Sequence, residues 1–85
     1  IGWAVSSLRQ AIAADPGYVL AYNNLGIALL AAADIWGAEA AAREGLGRDP
    51  DYAPLHGTLA HALHRQGRTD EAVAAMKKML RLKPG

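Results

Sequence analysis

The sequence contains no cysteine, so disulfide bonds are excluded as a means of stabilising the fold. This absence is typical of a reducing compartment and favours the cytoplasm, while a periplasmic protein without cysteine stays the alternative. Long apolar runs are absent too, because the longest covers residues 25–33, ends at Asp34 and is too short to span a bilayer. The sequence therefore predicts a chain that does not insert into a membrane.

An excess of charge of either sign is also absent. Nine Lys and Arg against eight Asp and Glu give a formal net charge of +1. A nucleic-acid-binding protein is expected to carry a basic stripe on one face, and these balanced charges do not form one. We therefore expect no nucleic acid among the partners of this chain.

Catalytic motifs are the third absence. The sequence has no nucleophile beside a base, no paired carboxylates and no glycine-rich phosphate loop. His61 and His64 lie three residues apart, but two ligands are fewer than the three or four that zinc requires, and the neighbouring Arg65 repels cations. We therefore expect a binding protein rather than an enzyme, with no metal and no cofactor.

What the sequence does contain is a repeat marked by proline. Pro16, Pro50 and Pro84 are each 34 residues apart, and Asp-Pro-x-Tyr occurs at the first two of them. Between the prolines, apolar residues recur at helical spacing and strand alternation is absent. The prolines and glycines at the breaks predict five α-helices, over residues 3–14, 18–32, 36–48, 52–66 and 70–82. Short linkers make consecutive helices antiparallel, so the predicted fold is all-α and built of helical hairpins.

The residues in register at this offset resemble the tetratricopeptide repeat pattern, W-x-x-L-G-x-x-Y, then A-x-x-x-F, then P. One copy contains Tyr22-x-x-Leu25-Gly26-x-x-Leu29, Ala38-x-x-x-Ala42 and Pro50, and the next contains His56-x-x-Leu59-Ala60-x-x-Leu63, Ala72-x-x-x-Met76 and Pro84. The first copy keeps only its second half, Ala4-x-x-x-Leu8 and Pro16. The resemblance covers the whole chain and implies an α-solenoid of about two and a half repeats. Residues 1–17 form the second half of a first repeat, and residues 18–51 and 52–85 are complete repeats.

This resemblance implies a protein-protein interaction module that binds a peptide or a partner protein in the concave groove lined by the first helices of its repeats. The groove residues expected are Asn23, Asn24, Ile27, Leu30, His61, His64 and Arg65, and Gly57 is expected on the same helix face as His61 and His64. One half of this set is apolar and the other is polar, so the implied ligand has an apolar stretch beside an acidic group or a free carboxylate. For the two asparagines a structural role is the alternative. A second interpretation of the resemblance is a substrate-binding arm of a larger enzyme, such as a protein glycosyltransferase.

The ends of the chain are expected to associate. In repeat proteins each unit buries its apolar face against its neighbours, and terminal units need a polar cap, which neither end of this sequence has. Self-association is expected at Trp3, Trp36, Met76, Met79 and Leu80. For Trp3 the alternative is packing on a hairpin partner that this sequence does not include, and for Trp36 a structural packing role is equally open. We therefore expect a piece of a longer repeat protein, or a chain that forms homo-oligomers through its ends.

Single slots of the repeat give further expectations. Gly26 and Ala60 are expected to be small because the two helices of each hairpin cross closely there. His56 is expected to be a packed ring whose nitrogen reaches a partner on another helix. Gly45 lies in a slot for a small residue, so alanine there is expected to be neutral or mildly stabilising, whereas Gly47→Ala is expected to stabilise an exposed helical position.

Overall fold

The computed structural model describes residues 2–83, and in this range it has five α-helices and no strand. The helices are α1 (Gly2–Ala14), α2 (Val19–Ala31), α3 (Ile35–Arg48), α4 (Ala53–Arg65) and α5 (Thr69–Leu82). The predicted all-α fold is confirmed, and each helix begins and ends within one residue of its predicted bounds. The third proline of the repeat, Pro84, lies outside the described residues.

The helices pack as two hairpins preceded by a single helix. α2 packs against α3, and α4 packs against α5, while α4 also contacts both α2 and α3. α1 packs against α2 alone and has no buried residue. This arrangement is an α-helical solenoid in which α2 and α4 each contact three other helices.

The Asp-Pro-x-Tyr turns separate one hairpin from the helix before it. The carboxylates of Asp15 and Asp49 each accept a hydrogen bond from the N–H two residues later, at 3.3 and 3.2 Å. The N–H of each motif's tyrosine donates to the aspartate carbonyl, at 3.1 Å from Tyr18 and 3.2 Å from Tyr52. Because proline cannot continue the helical hydrogen-bond ladder, the motif ends one helix and sets the start of the next.

A side chain from the first helix of each repeat closes this turn. The hydroxyl of Tyr22 donates to the carbonyl oxygen of Pro16 at 2.9 Å. His56 occupies the same slot one repeat later, and its Nε2 lies 2.7 Å from the carbonyl oxygen of Pro50. A carbonyl oxygen only accepts, so the slot requires a ring that carries a donor. The nitrogen of His56 thus reaches the turn before α4, and not another helix as expected.

Leucine and alanine side chains form the core. Leu55 and Leu63 of α4 are the largest side chains that are fully buried. Leu55 packs in one cluster with Tyr22 of α2 and Ala42 of α3, so this cluster joins the two hairpins. Alanine buries little area of its own, but it lets neighbouring helices approach closely enough for these leucines to interlock.

The contact between α3 and α4 depends on Gly45. A Cβ atom on Gly45 would lie 2.6 Å from Cδ1 of Leu55 and 2.8 Å from Cβ of Tyr22. A Cβ atom is fixed to its backbone and cannot move aside, so the expectation that alanine is tolerated here is wrong. Gly47 is exposed in the same helix and has no atom within 4 Å of its Cβ position, which agrees with the expectation for that residue.

The bends inside the two hairpins share a backbone conformation but differ in the residue that adopts it. Ala33 has a φ of 63°, and Gly67, one repeat later, has a φ of 79°. In each bend the next N–H donates to the carbonyl five residues earlier, at 2.8 Å from Asp34 and 3.0 Å from Arg68. This left-handed conformation suits glycine and strains alanine.

We expect Ala33→Gly to raise the free energy of unfolding by roughly 0.5–1 kcal/mol. The change relieves about 1–2 kcal/mol of left-handed strain in the folded state. This gain exceeds the cost of about 0.4–1 kcal/mol that comes from the greater conformational freedom of glycine in the unfolded chain. The reverse change at the matched position, Gly67→Ala, is expected to lower stability by a similar amount. Urea unfolding measures the stability of both variants. A loss of stability in Ala33→Gly would show that Ala33 is not strained.

Gly45→Ala and Gly47→Ala are expected to change stability in opposite directions, although both lie in α3. Gly45→Ala pushes against Leu55 and Tyr22 and is expected to cost about 1–3 kcal/mol. Gly47→Ala adds a helix-favouring residue in open space and is expected to gain about 0.5–1 kcal/mol. Thermal unfolding of the two variants is the measurement. Melting-temperature shifts of the same sign would show that the contacts at Gly45 do not oppose an added methyl group.

Candidate functional site

An open cleft lies between α2 and α4, the first helices of the two hairpins. Its volume is about 570 Å³. The lining residues are Asn23, Ile27, Leu30 and Ala31 of α2 and Pro54, Gly57, Thr58 and His61 of α4. We call it the α2/α4 cleft. On each helix the lining residues are one, three or four positions apart, so each wall is one face of a helix.

A buried hydrogen bond joins the two walls. Thr58 Oγ1 donates to Asn23 Oδ1 at 2.6 Å, and both side chains are buried. The methyl carbon of Thr58 lies 2.8 Å from the position that a Cβ on Gly26 would take. Gly26 is therefore small chiefly because α4 approaches it, and not because of the crossing within its own hairpin that the sequence predicted.

Asn23 retains one polar group that can serve a ligand. Its carbonyl oxygen is occupied by Thr58, and its amide nitrogen forms no hydrogen bond within residues 2–83. That nitrogen is not sealed from solvent, because every fully buried side-chain nitrogen or oxygen in this range has a hydrogen-bond partner. An amide nitrogen can donate two hydrogen bonds. Asn23 can therefore present a donor to a molecule in the α2/α4 cleft.

Ile27 and His61 are exposed on opposite walls of the cleft. Ile27 is 52% exposed, which is high for an aliphatic residue in a packed helix. Leu30 lies three residues further along the same wall but is only 7% exposed, and it packs in the core with Leu25 and Ala62. An apolar ligand would therefore contact Ile27 over a larger area than Leu30.

Three other predicted groove residues lie outside this lining. Asn24 is exposed and does not border the α2/α4 cleft. His64 borders a different cleft, between α4 and α5. Arg65 Nη1 donates to the carbonyl oxygen of Leu30 at 3.4 Å, near the C-terminal end of α2, where a positive charge is favourable.

Ala31, Pro54 and Thr58 line the cleft but were not predicted as site residues. The signal for two of them was present in the sequence. Pro54, Thr58 and His61 follow one another by four and three residues, which places them on one helical face. For Ala31, at the last turn of α2, the sequence offers no comparable signal.

The residues predicted for self-association do not form one surface. Trp3 of α1 and Trp36 of α3 are 78% and 67% exposed, and neither α1 nor α3 packs against α5. Met76 and Leu80 are exposed on α5. Met79 is half-buried, with its sulfur 2.8 Å from the position that a Cβ on Gly57 would take.

A charged cluster joins α3 to the bend between α4 and α5. Glu39 accepts hydrogen bonds from Gln66 Nε2 at 2.8 Å, Arg68 Nη1 at 2.9 Å and Arg43 Nε at 2.8 Å. The hydrogen bond from Gln66, aided by both arginines, lowers the pKa of Glu39 against the opposing effect of burial. Arg68 also donates to both carboxylate oxygens of Glu71, which lowers the pKa of that carboxyl. The cluster is a second link between the repeats.

Residues 2–83 contain neither a metal-binding cluster nor a membrane-spanning helix. Within residues 2–83, no three His, Asp or Glu side chains come together in a way that could hold a metal ion. In the same range no helix combines the length and the apolar character that crossing a bilayer requires. The candidate site is the α2/α4 cleft with its apolar and hydrogen-bonding lining.

Two family models match the chain, and both describe a tetratricopeptide repeat. One matches residues 4–53 and the other residues 29–85, so each covers more than half of the chain. The chain belongs to the tetratricopeptide repeat family. The resemblance carried by the 34-residue pattern is thereby confirmed. Tetratricopeptide repeats are protein-interaction modules, and this chain is a module of that general kind.

The tetratricopeptide fold of this chain is similar to solved structures of MamA. A crystal structure of MamA is 26% identical with a TM-score of 0.86 over 93% of this chain, and one of MamA AMB-1 is 27% identical with a TM-score of 0.88 over 96%. These alignments cover 46% and 48% of the MamA chains, so this chain spans a little under half of their length. No curated protein matches this chain significantly.

The charged cluster at Glu39 predicts a pH dependence of stability. The pKa of this carboxyl is lowered in the folded state relative to an unfolded value of about 4.3, so its contribution is present above that pH and is lost as the pH falls through the folded-state pKa. Glu71 acts with the same sign. We expect Glu39→Gln to be about 1 kcal/mol less stable than wild type at neutral pH. As the pH falls, the stability of this variant is expected to decrease less than that of wild type.

Urea unfolding at a series of pH values from about 7 to about 3 tests this dependence. The matched control is Glu44→Gln, an exposed glutamate of the same helix that takes no part in the cluster. It is expected to follow the wild-type pH curve. If Glu39→Gln also followed that curve, the cluster would contribute nothing measurable.

Proposed function

We propose that this tetratricopeptide module binds a peptide segment of a partner protein in the α2/α4 cleft. The proposal rests on an exposed aliphatic side chain that lies beside an amide donor. This donor has no hydrogen-bond partner among the described residues. Ile27 is 52% exposed, and the amide nitrogen of Asn23 is the donor. Covering the exposed part of an isoleucine contributes about 1 kcal/mol, so a ligand gains by covering it.

The lining of the cleft indicates the chemistry of the segment. Ile27 and Pro54 give apolar contacts on opposite walls, so the segment presents at least one apolar side chain. Asn23 donates, so a carbonyl oxygen or a carboxylate lies next to that side chain. His61 supplies a further polar contact on the α4 wall. The guanidinium of Arg65 is directed to a backbone carbonyl of α2, so a carboxylate gains less support from it than the sequence implied.

We propose that the chain itself takes no part in catalysis. A peptide-binding cleft serves equally in an adaptor protein and in an arm that holds a protein substrate for a larger enzyme, such as a protein glycosyltransferase. In both cases the role of these residues is the same, because the cleft offers binding contacts and no nucleophile paired with a base.

Ile27→Glu is expected to weaken the binding of cleft peptides at least about tenfold, because it removes an apolar contact and places a charge against an apolar side chain. Peptides selected from a random library on the wild-type chain serve as probes. Fluorescence anisotropy of the labelled peptides measures the dissociation constants of both proteins.

The matched control is Leu20→Glu, the same kind of change on the same helix. Leu20 is 39% exposed and does not border the α2/α4 cleft, so this variant is expected to bind like wild type. Circular dichroism checks that both variants are folded. If a folded Ile27→Glu bound every selected peptide as tightly as wild type, the cleft would not be the binding site.

A further inference from the structure

A second cleft lies between α4 and α5 and is lined by these two helices alone. Its volume is about 470 Å³, and its α5 wall includes Ala72, Val73 and Met76. Leu80 extends this apolar row along α5. The large members of the row, Val73, Met76 and Leu80, are 46%, 41% and 53% exposed. We call this cleft together with Leu80 the α4/α5 face.

The preceding repeat carries a helix on the corresponding surface. One repeat earlier, Ala38 and Ala42 occupy the slots of Ala72 and Met76, and both are fully buried. The helix packed there is α4, which lies against both α2 and α3. Because the two surfaces occupy corresponding positions of the repeat, the α4/α5 face is a surface on which an apolar helix can pack.

Met79 prevents a helix from packing here in the way that α4 packs on α3. Gly45 leaves a space into which Leu55 of α4 enters. The residue of α5 in that slot is Met79, whose side chain already lies against Gly57. A helix placed as α4 is placed, with a leucine in the slot of Leu55, would meet this side chain. A partner helix that lies further out instead contacts the exposed row of Val73, Met76 and Leu80.

The charges of α5 indicate which helix fits on that row. Asp70 in the first turn and Arg81 in the last turn form no ion pair within residues 2–83. They are eleven residues apart, close to three whole turns of about 3.6 residues, so both lie on one flank of the apolar row. The exposed Lys77 lies between them on the same flank, so a partner helix must not place a cation opposite it. A partner helix needs a basic group opposite Asp70 and an acidic group opposite Arg81. An antiparallel second copy of α5 supplies both, and in that register Ala74 lies opposite Lys77.

We infer that the α4/α5 face joins two copies of this chain into a dimer with two-fold symmetry. α5 of one copy packs antiparallel on α5 of the other, with Val73, Met76 and Leu80 of both copies at the centre. Asp70 of each copy lies against Arg81 of the other. Because a two-fold interface uses the same surface twice, both apolar rows are covered and the assembly closes at two copies.

The dimer is expected to be weak, because each copy contributes only three large exposed apolar side chains. We expect a dissociation constant on the order of 10–100 µM. Sedimentation velocity of the 85-residue chain from about 1 µM to about 1 mM measures it. The wild type is expected to change from monomer to dimer over this range and to form nothing larger.

The double variant Met76→Glu with Leu80→Glu tests the apolar row. It is expected to weaken dimerisation at least about tenfold, because four charges meet at the centre of the interface. The matched control is Ile27→Glu, which makes the same kind of change outside the α4/α5 face and is expected to dimerise like wild type. Circular dichroism and thermal unfolding show whether each variant is folded.

A charge reversal tests the antiparallel arrangement without changing the apolar row. Asp70→Lys and Arg81→Glu, made singly, each place like charges across the interface and are expected to weaken the dimer several-fold. The two changes combined restore opposite charges at both contacts, so the double variant is expected to dimerise like wild type. A parallel or end-to-end arrangement gives no such recovery.

Three results would overturn the inference. The first is a wild-type chain that remains monomeric up to about 1 mM. The second is growth beyond the dimer, which would mean that different surfaces of the two copies meet. The third is a charge-reversed double variant that dimerises no better than its single variants while remaining folded.

Discussion

The packing of α4 between α2 and α3 is the contact on which the rest of the structure depends. Leu55, which is fully buried, enters the space that Gly45 leaves open, and Thr58 donates a hydrogen bond to Asn23 across the same boundary. This contact turns two helical hairpins into one array. It also sets α2 and α4 side by side, and the α2/α4 cleft is the space left between their outer faces. The candidate binding surface is therefore a direct product of repeat packing.

The helices could be predicted closely from the sequence because their ends are decided locally. Each Asp-Pro-x-Tyr turn closes on its own hydrogen bonds, and proline lacks the N–H that would continue the preceding helix. The repeat then transfers information from one copy to the next. His56 could be assigned to the slot of Tyr22, and in the structure both side chains reach the carbonyl of the proline six residues earlier.

The depth of each side chain could not be predicted, because it depends on helices that are distant in sequence. Ile27 and Leu30 share one wall of the α2/α4 cleft, yet their exposures are 52% and 7%. The helical period predicts the direction in which a side chain points. It does not predict whether a neighbouring helix covers that side chain. Arg65 is a similar case, since its guanidinium turns to a carbonyl of α2. At Gly45 the decisive neighbour, Leu55, belongs to another repeat.

α4 takes part in both proposed surfaces because it packs against α2 as well as α5. Gly57 and His61 border the α2/α4 cleft and also the cleft between α4 and α5. A substitution of His61 therefore disturbs both surfaces and cannot separate peptide binding from dimerisation. Ile27 and Leu80 can separate them, because Ile27 lies on α2, Leu80 lies on α5, and these two helices make no contact. Changes at distant residues with no shared partner act independently, so one surface can be altered while the other is kept.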